Sequence, residues 1–276
     1  MRLSDMHVHS TFSVDGAADM EKMCKAAMSK DISRIAFTEH CEIRSEPPHV
    51  EPYYLEREAR RLKEYARLSK KYGRELQIAY GLELGQPHHN PEEAGKFLSL
   101  RRFDFILGSL HFYKSADDHY HDVYYVNYSL IPPKVMFCDY FTDMARMVEH
   151  GGFDVIAHLD YPLRVLNGIL SRPTILDYRD LVDVVLRKAA EKGLGIEIGT
   201  RGLSDWQRRV GPEDWVLKRF CELGGEIVTT GSDGHRERQL GNGISQAVFA
   251  AKNAGFRYVA YYKNRKPCFE MIDDHT

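Results

Sequence analysis

The sequence has no run of eighteen apolar residues, the length needed to cross a bilayer, so no membrane span is expected. Its first residues, Met1-Arg2-Leu3-Ser4-Asp5, lack a basic segment followed by an apolar stretch, and no secretory signal is expected either. Cysteine is sparse and unpaired: Cys24, Cys41, Cys138, Cys221 and Cys268 are scattered with no CxxC motif, which fits free thiols in a reducing cytoplasm. Neither sign of charge is in excess. Lys plus Arg is 38 and Asp plus Glu is 40, giving a net charge of −2, which argues against a polyanion-binding surface and against nucleic acid as a partner. No low-complexity linker, composition break or fixed-period repeat divides the 276 residues. Their length allows one or two domains, and the expectation is a single domain, 1–276. A hydrophobic content of 43% is enough for a large core. What the chain has in unusual number is histidine, 13 residues, and their placement carries the functional reading.

Short apolar runs alternate with longer amphipathic ones. Leu3–Val8, Arg34–Thr38, Leu76–Leu82, Phe103–Leu110, Val155–Leu159, Leu194–Ile198 and Glu226–Thr230 read as buried strands, with Tyr258–Tyr262 an eighth candidate. Between and after them lie helical patterns at Asp19–Ser29, Tyr54–Tyr72, Pro91–Ser99, Pro133–Glu149, Ile175–Lys192, Pro212–Glu222 and Ile244–Ala254. Pro or an Asp cap opens several of them, and Gly73, Gly193 and Gly224 follow three as stops. Repeated β-then-α order implies parallel strands and an α/β, barrel-like fold. The segment Phe112–Ile131 is Tyr-rich and long for a loop, so it is expected to cover a site.

Barrel enzymes place their chemistry at the C-terminal ends of strands. Those ends read His7-Val8-His9 followed by Asp15, Thr38-Glu39-His40, Gly81-Leu82-Glu83, Gly108-Ser109-Leu110-His111, Ala157-His158-Leu159-Asp160 and Ser232-Asp233-Gly234-His235. An HxH pair in extended chain points both rings to one side. Taken singly, each of these is weak: His111 reads equally well as a core histidine and Glu83 as a strand-end carboxylate. Cys41, beside His40, reads as a small buried residue. Together, nine of these imidazoles and carboxylates, those other than Glu39 and Asp160, gather at one rim and exceed what one tetrahedral ion needs. They suit two or three divalent ions of the zinc, iron or manganese class. The remaining histidines, His49, His88, His89, His119, His121, His150 and His275, read as solvated surface.

HVHSTFSVDG, FTEH, GLE, SLH, AHLD and GSDGH, in this order from residue 7 to residue 235, resemble the PHP (polymerase and histidinol phosphatase) superfamily. The resemblance implies a distorted (β/α)7 TIM-like barrel with a trinuclear metal site at its rim. It implies one ion on His7, His9, Glu83 and Asp233. A second would share Glu83 and use His111 and His158, and a third would use Asp15, His40 and His235. Many members have histidine where this chain has Asp15. Within the superfamily the chain is similar to histidinol-phosphate phosphatases of the PHP type, since no polymerase or nuclease module is attached. Arg164 and Arg201 stand near places where such phosphatases clamp the substrate phosphate, although relatives often read Asn-Thr-Ser-Gly where this chain has Gly199-Thr200-Arg201-Gly202.

The expected activity is hydrolysis of a small phosphate monoester, foremost L-histidinol phosphate in histidine biosynthesis, by a hydroxide bridging the metals. Asp160 and His235 are candidates to protonate the leaving group. Tyr113, Tyr120, Tyr161 and Trp206 are candidates to pack against the substrate ring, and Glu42 or Asp205 to meet an ammonium. Two other readings stand beside this one: a phosphoesterase for a nucleotide or oligonucleotide, and a non-catalytic scaffold that binds metal or a partner. The oligomeric state is not readable from the sequence.

Overall fold

The computed structural model describes residues 1–46, 49–50, 52–99, 101–166, 169 and 174–273, with backbone alone at 52 and 53; His275 lies outside them. The strands are β1 (Leu3–Val8), β2 (Ile32–Phe37), β3 (His40–Glu42), β4 (Gln77–Gly85), β5 (Phe105–Ser109), β6 (Phe112–Lys114), β7 (Tyr120–Asp122), β8 (Val155–Ile156), β9 (Gly195–Gly199), β10 (Val228–Gly231), β11 (Tyr258–Lys263) and β12 (Lys266–Met271). The helices are α1 (Met20–Ser29), α2 (Pro52–Tyr72), α3 (Pro91–Ser99), α4 (Pro133–His150), α5 (Arg179–Glu191), α6 (Asp214–Glu222) and α7 (Ile244–Ala254). Helix α1 starts where its cap residue dictates: Asp19 accepts from the Lys22 N–H at 2.8 Å. Helix α7 stops at Gly255, whose φ of 105° only glycine adopts freely. No helix among the described residues is long and apolar enough to cross a membrane.

Strands β1, β2, β4, β5, β8, β9 and β10 pair in that order, all parallel, with β3 extending beside β4. The first and last strands also meet. Asp233 N donates to His7 O at 2.9 Å and His9 N donates to Gly234 O at 3.0 Å, so the sheet is a nearly closed seven-stranded barrel. This is the expected distorted (β/α)7 form.

Two expectations are corrected. Tyr258–Tyr262 is not a barrel strand: it is β11, which pairs antiparallel with β12. This hairpin seals the N-terminal end of the barrel. Ala260 and Tyr262 pack with Met6, Ala36, Ala79, Phe105, Leu107, Val155 and Ala157, which come from five barrel strands and their ends. Arg265 pins the hairpin through its Nε–H to Asp154 at 2.7 Å. The second correction concerns Phe112–Ile131, which is not one open loop. It contains the β6–β7 hairpin and a 3-10 turn at Val123–Tyr125.

The site is held from outside by α2. Buried Arg61 donates to the carbonyls of Phe37 and Gly81, which fixes β2 and β4 just before Thr38-Glu39-His40 and Glu83.

Candidate active site

Three groups of side chains meet at the C-terminal rim, joined by Glu83, which is fully buried on β4. In the first, His7 Nε2 and His9 Nε2 lie 3.0 Å apart. Each is 3.3 Å from Glu83 Oε2, and they stand 3.7 and 3.5 Å from Asp233 Oδ1. In the second, His111 Nε2 and His158 Nε2 are 3.4 Å apart, at 3.3 and 2.8 Å from Glu83 Oε1. In the third, His40 Nε2 and His235 Nε2 are 3.4 Å apart and flank the carboxylate of Asp15, at 3.6 and 3.1 Å. His40 also presents Nδ1 to Glu83 Oε2 at 2.8 Å. The structure thus brings together all nine of the expected ligand residues.

Room for this convergence is built into the backbone. A Cβ on Gly231 would fall 2.2 Å from Glu197 Oε1 and 2.5 Å from the Cβ of His7, so only glycine admits the Glu197–His7 contact. His158 and Asp233 sit at φ of 24° and 52°, a conformation that costs a residue with a Cβ roughly 1–3 kcal/mol and that the surrounding packing must hold.

A set of partners missed from the sequence fixes the rings. Glu197 accepts from His7 Nδ1 at 2.7 Å and from the His158 N–H at 2.8 Å. Ser13 Oγ donates to Glu39 Oε2 at 2.5 Å, so it accepts from His9 Nδ1 at 2.9 Å. Glu42 accepts from His111 Nδ1 at 2.7 Å, and the Asp233 carbonyl accepts from His235 Nδ1 at 3.0 Å. Ser109 Oγ donates to Glu83 Oε1 at 2.6 Å. With Nδ1 carrying the proton, His7, His9, His111 and His235 aim the Nε2 lone pair inward.

This arrangement fits metal ions better than protons. With both Nδ1 atoms protonated and the rings neutral, lone pair faces lone pair across His7–His9 at 3.0 Å. Glu83 Oε2 and His40 Nδ1 are buried, lie 2.8 Å apart and make no hydrogen bond. Imidazole with carboxylate is a donor set for zinc, iron or manganese. The electrostatics agree. Burial would raise the Glu83 pKa, but the imidazoles of His40, His7 and His111 outweigh it and hold it well below the carboxylate range. Burial would lower His7, but Glu197, Glu83 and Asp233 outweigh it and hold it well above its ordinary value. Burial opposes His111 too, yet Glu42 and Glu83 push it up to about 10. A field that favours imidazolium this strongly favours divalent cations in the same place.

Above the three groups opens a cleft of about 620 Å³. Asp15, His40, His111, Asp233 and His235 line it on the ion side, and Arg44, Arg201, Arg236, Arg238, Asp122, Tyr124, Tyr125 and Tyr161 line it elsewhere. Arg164 donates Nη1–H to Asp233 Oδ2 at 2.7 Å, so it stands at the ion site already oriented. Arg201 lies in the wall of the cleft with no ion pair among the described residues. Asp160 is not on the cleft wall. It is buried 3.5 Å from Arg209 Nη1, its Oδ2 has no hydrogen-bond partner, and burial raises its pKa.

Of the substrate-ring candidates, Tyr161 lines the cleft against His158 (centroids 4.9 Å apart). Tyr113 is wholly buried beside Tyr140, Tyr120 packs on His89 at 4.7 Å, and Trp206 donates Nε1–H to the Leu163 carbonyl at 2.9 Å. Glu42 is committed to His111 and Gln86, and Asp205 to the Gln207 N–H. Besides Tyr161, Tyr124 and Tyr125 line the cleft, 59% and 82% exposed. His88 and His89, read as solvated, have buried side chains.

Known proteins resemble this chain in sequence and in fold. The chain is 28% identical over 260 residues to a protein of Thermotoga maritima named "probable histidinol-phosphatase", covering 93% of this chain and 94% of that one. It is 29% identical over 262 residues to a protein of the same name from Clostridium acetobutylicum, covering 94% and 96%. It shares the fold of the crystallised histidinol phosphate phosphatase of Lactococcus lactis, a complex with zinc, L-histidinol and phosphate, at a TM-score of 0.81 and 24% identity over 97% of this chain and 99% of that one. The model of the PHP domain matches residues 5–201, most of the barrel and all but two of the rim residues. This chain belongs to the PHP domain family.

Proposed function

We propose that this chain is a metal-dependent phosphomonoesterase that hydrolyses L-histidinol phosphate to L-histidinol and phosphate. The observation that carries the reading is the convergence of three imidazole–carboxylate groups on Glu83 beneath an arginine- and tyrosine-lined cleft. The names of the relatives, and the zinc, L-histidinol and phosphate held by the Lactococcus lactis enzyme, supply the substrate.

His7, His9, Glu83 and Asp233 would hold one ion, Glu83, His111 and His158 a second, and Asp15, His40 and His235 a third, with zinc the first candidate. When bound, such ions lower the pKa of water held beside them from 15.7 to about 7 and offset the charge of a phosphate dianion. Glu197, Ser13 and Glu42 keep Nε2 of His7, His9 and His111 unprotonated and inward. Arg164 and Arg201 neutralise the phosphate oxygens, Arg164 oriented by Asp233 and Arg201 from the cleft wall. Asp160, buried off the cleft wall and 3.5 Å from Arg209 Nη1, acts through its charge on Arg209 and Arg164 rather than on the leaving oxygen. The organic end of the substrate is cationic and aromatic. Asp122 lies half-buried in the cleft, accepting one backbone hydrogen bond from Tyr124, and is placed for the ammonium. Tyr124 and Tyr161 are placed for the ring.

A screen of purified protein against L-histidinol phosphate, nucleoside monophosphates and short DNA tests the reading. L-histidinol phosphate is expected to have the highest kcat/KM. Turnover no better than that of a generic aryl phosphate removes the substrate, and preference for nucleotides replaces it. Arg201→Ala is expected to raise KM for L-histidinol phosphate by about tenfold, the worth of one charge-assisted hydrogen bond. Unchanged kinetics remove the clamp.

A further inference from the structure

A second cluster of metal-ligating side chains lies outside the rim. Neighbouring residues of a strand point to opposite faces. In the 3-10 turn Pro87–His89, entered through Gln86 at φ 35°, two neighbouring imidazoles instead converge on one carboxylate of α4, Asp143. His89 Nε2 is 2.8 Å from Asp143 Oδ2 and His88 Nε2 is 3.1 Å from Asp143 Oδ1. The side chains of His88, His89 and Asp143 are 8%, 2% and 1% exposed.

Hydrogen bonds account for only half of this contact. Asp143 Oδ2 accepts from His89 Nε2 and from the Lys114 N–H, both at 2.8 Å. Asp143 Oδ1 and His88 Nε2 are both buried and have no hydrogen-bond partner, although they face each other at 3.1 Å. The charge paired with Oδ1 is the guanidinium of Arg146 at 3.6 Å, on a side chain 58% exposed that is able to turn to solvent; Lys114 acts on Asp143 and His150 on His88 from further off. Leaving two such atoms buried and unsatisfied costs roughly 1–3 kcal/mol each. Their separation is close to that of two ligands held about 2.0–2.2 Å from one tetrahedral ion.

We propose that His88, His89 and Asp143 form an additional binding site for a divalent ion of the zinc class, separate from the rim. It offers two imidazoles and one carboxylate, with the fourth position left to water. The site ties α4 to the turn that follows β4. Gln86, at the head of that turn, accepts from the backbone N–H groups of His111 and Phe112 and donates to Glu42 Oε2, so an ion here braces the support of a rim residue without touching the cleft. The proposal does not rest on the phosphatase reading.

The test is zinc itself. Crystals of the whole chain grown with zinc at one equivalent per proposed site are measured above the zinc absorption edge. An anomalous peak between His88 Nε2 and Asp143 Oδ1, in addition to density at the rim, is the expected result. Rim density with no peak there, or a peak that needs millimolar zinc, overturns the proposal. In solution, His88→Ala is expected to bind one zinc fewer than the unaltered protein while turning over L-histidinol phosphate within about twofold. Equal zinc content in the two proteins also overturns it. Should His88→Ala fail to fold, the diffraction result on the unaltered protein decides alone. Absence of rim ions or of turnover in the unaltered protein would strike the phosphatase reading and leave this site standing.

Discussion

The two ends of the barrel interior are equally buried and chemically opposite. At the N-terminal end Met6, Ala36, Ala79, Phe105, Leu107 and Val155 close on Ala260 and Tyr262 of the β11–β12 hairpin in an apolar cluster, with the charges of Arg34, Asp154 and Arg265 at its edge. At the C-terminal end of the same strands stand His7, His9, Glu83, His158, Glu197 and Asp233, each less than a tenth exposed. Apolar burial at the lower end stabilises the fold by roughly 25 cal/mol per Å² removed from water. Ionisable groups at the upper end oppose folding unless cations and hydrogen bonds compensate them. The scaffold therefore gains its stability below and spends part of it above, where low dielectric strengthens every charge interaction a phosphate would meet. Substitutions at the two ends should separate activity from stability.

The largest expected effect is at Glu83. Glu83→Gln removes the carboxylate common to two ligand groups, and kcat/KM for L-histidinol phosphate is expected to fall about a thousandfold, several kcal/mol of transition-state stabilisation. A loss below tenfold in steady-state kinetics would break the view that the groups act as one site. Next comes Asp160→Asn. It is expected to lower kcat/KM about tenfold, equally on L-histidinol phosphate and on 4-nitrophenyl phosphate, because Asp160 acts through the guanidiniums and not on the leaving group. A loss confined to L-histidinol phosphate, with 4-nitrophenyl phosphate spared, would make Asp160 the proton donor instead.

At the lower end, Tyr262→Ala is expected to cost about 3 kcal/mol in denaturant unfolding, the lower range for emptying an aromatic site, with kcat unchanged. A tenfold fall in kcat would join the two ends that the comparison separates. The smallest effect is at Glu270, which accepts from Arg34 Nη2 at 2.9 Å and from the Arg2 N–H at 3.0 Å. Burial would raise its pKa, but these two partners outweigh it and hold it low. A depressed folded pKa means that stability is present above the ordinary carboxylate value of about 4.3 and is lost as pH falls through the folded value. The gap between the unaltered protein and Glu270→Gln should therefore be flat above about pH 5, worth below about 1 kcal/mol, and shrink toward acid. A gap that widens in acid would reverse the sign.

The rim was legible because its residues sit in short contiguous motifs at strand ends, where backbone geometry alone directs them: HxH on β1, TEH after β2, GLE on β4 and SDGH after β10. The partners that orient the rings were not. Glu197 reads as a single charge inside the apolar run Gly195–Ile198, and only the pairing of β9 with β8 and the closure of β10 on β1 show that it accepts from His7 and His158. That lone charge in a buried strand was the available signal. Tyr113 and Trp206 misled for the opposite reason. An amphipathic ring reads equally as substrate contact or as packing, and the folding of the β6–β7 hairpin onto α4 turned Tyr113 inward. Tyr258–Tyr262 has strand composition, but its partner is the adjacent β12 rather than the barrel, a choice made by the short turn at Asn264-Arg265, both at positive φ.

The central claim is that the convergent imidazoles and carboxylates work by holding ions. Its most direct test is phosphate release from L-histidinol phosphate by protein dialysed against excess EDTA and then resupplied with zinc, manganese or iron. Turnover should vanish on dialysis and return with at least one of these metals. Full turnover in excess chelator would contradict the account.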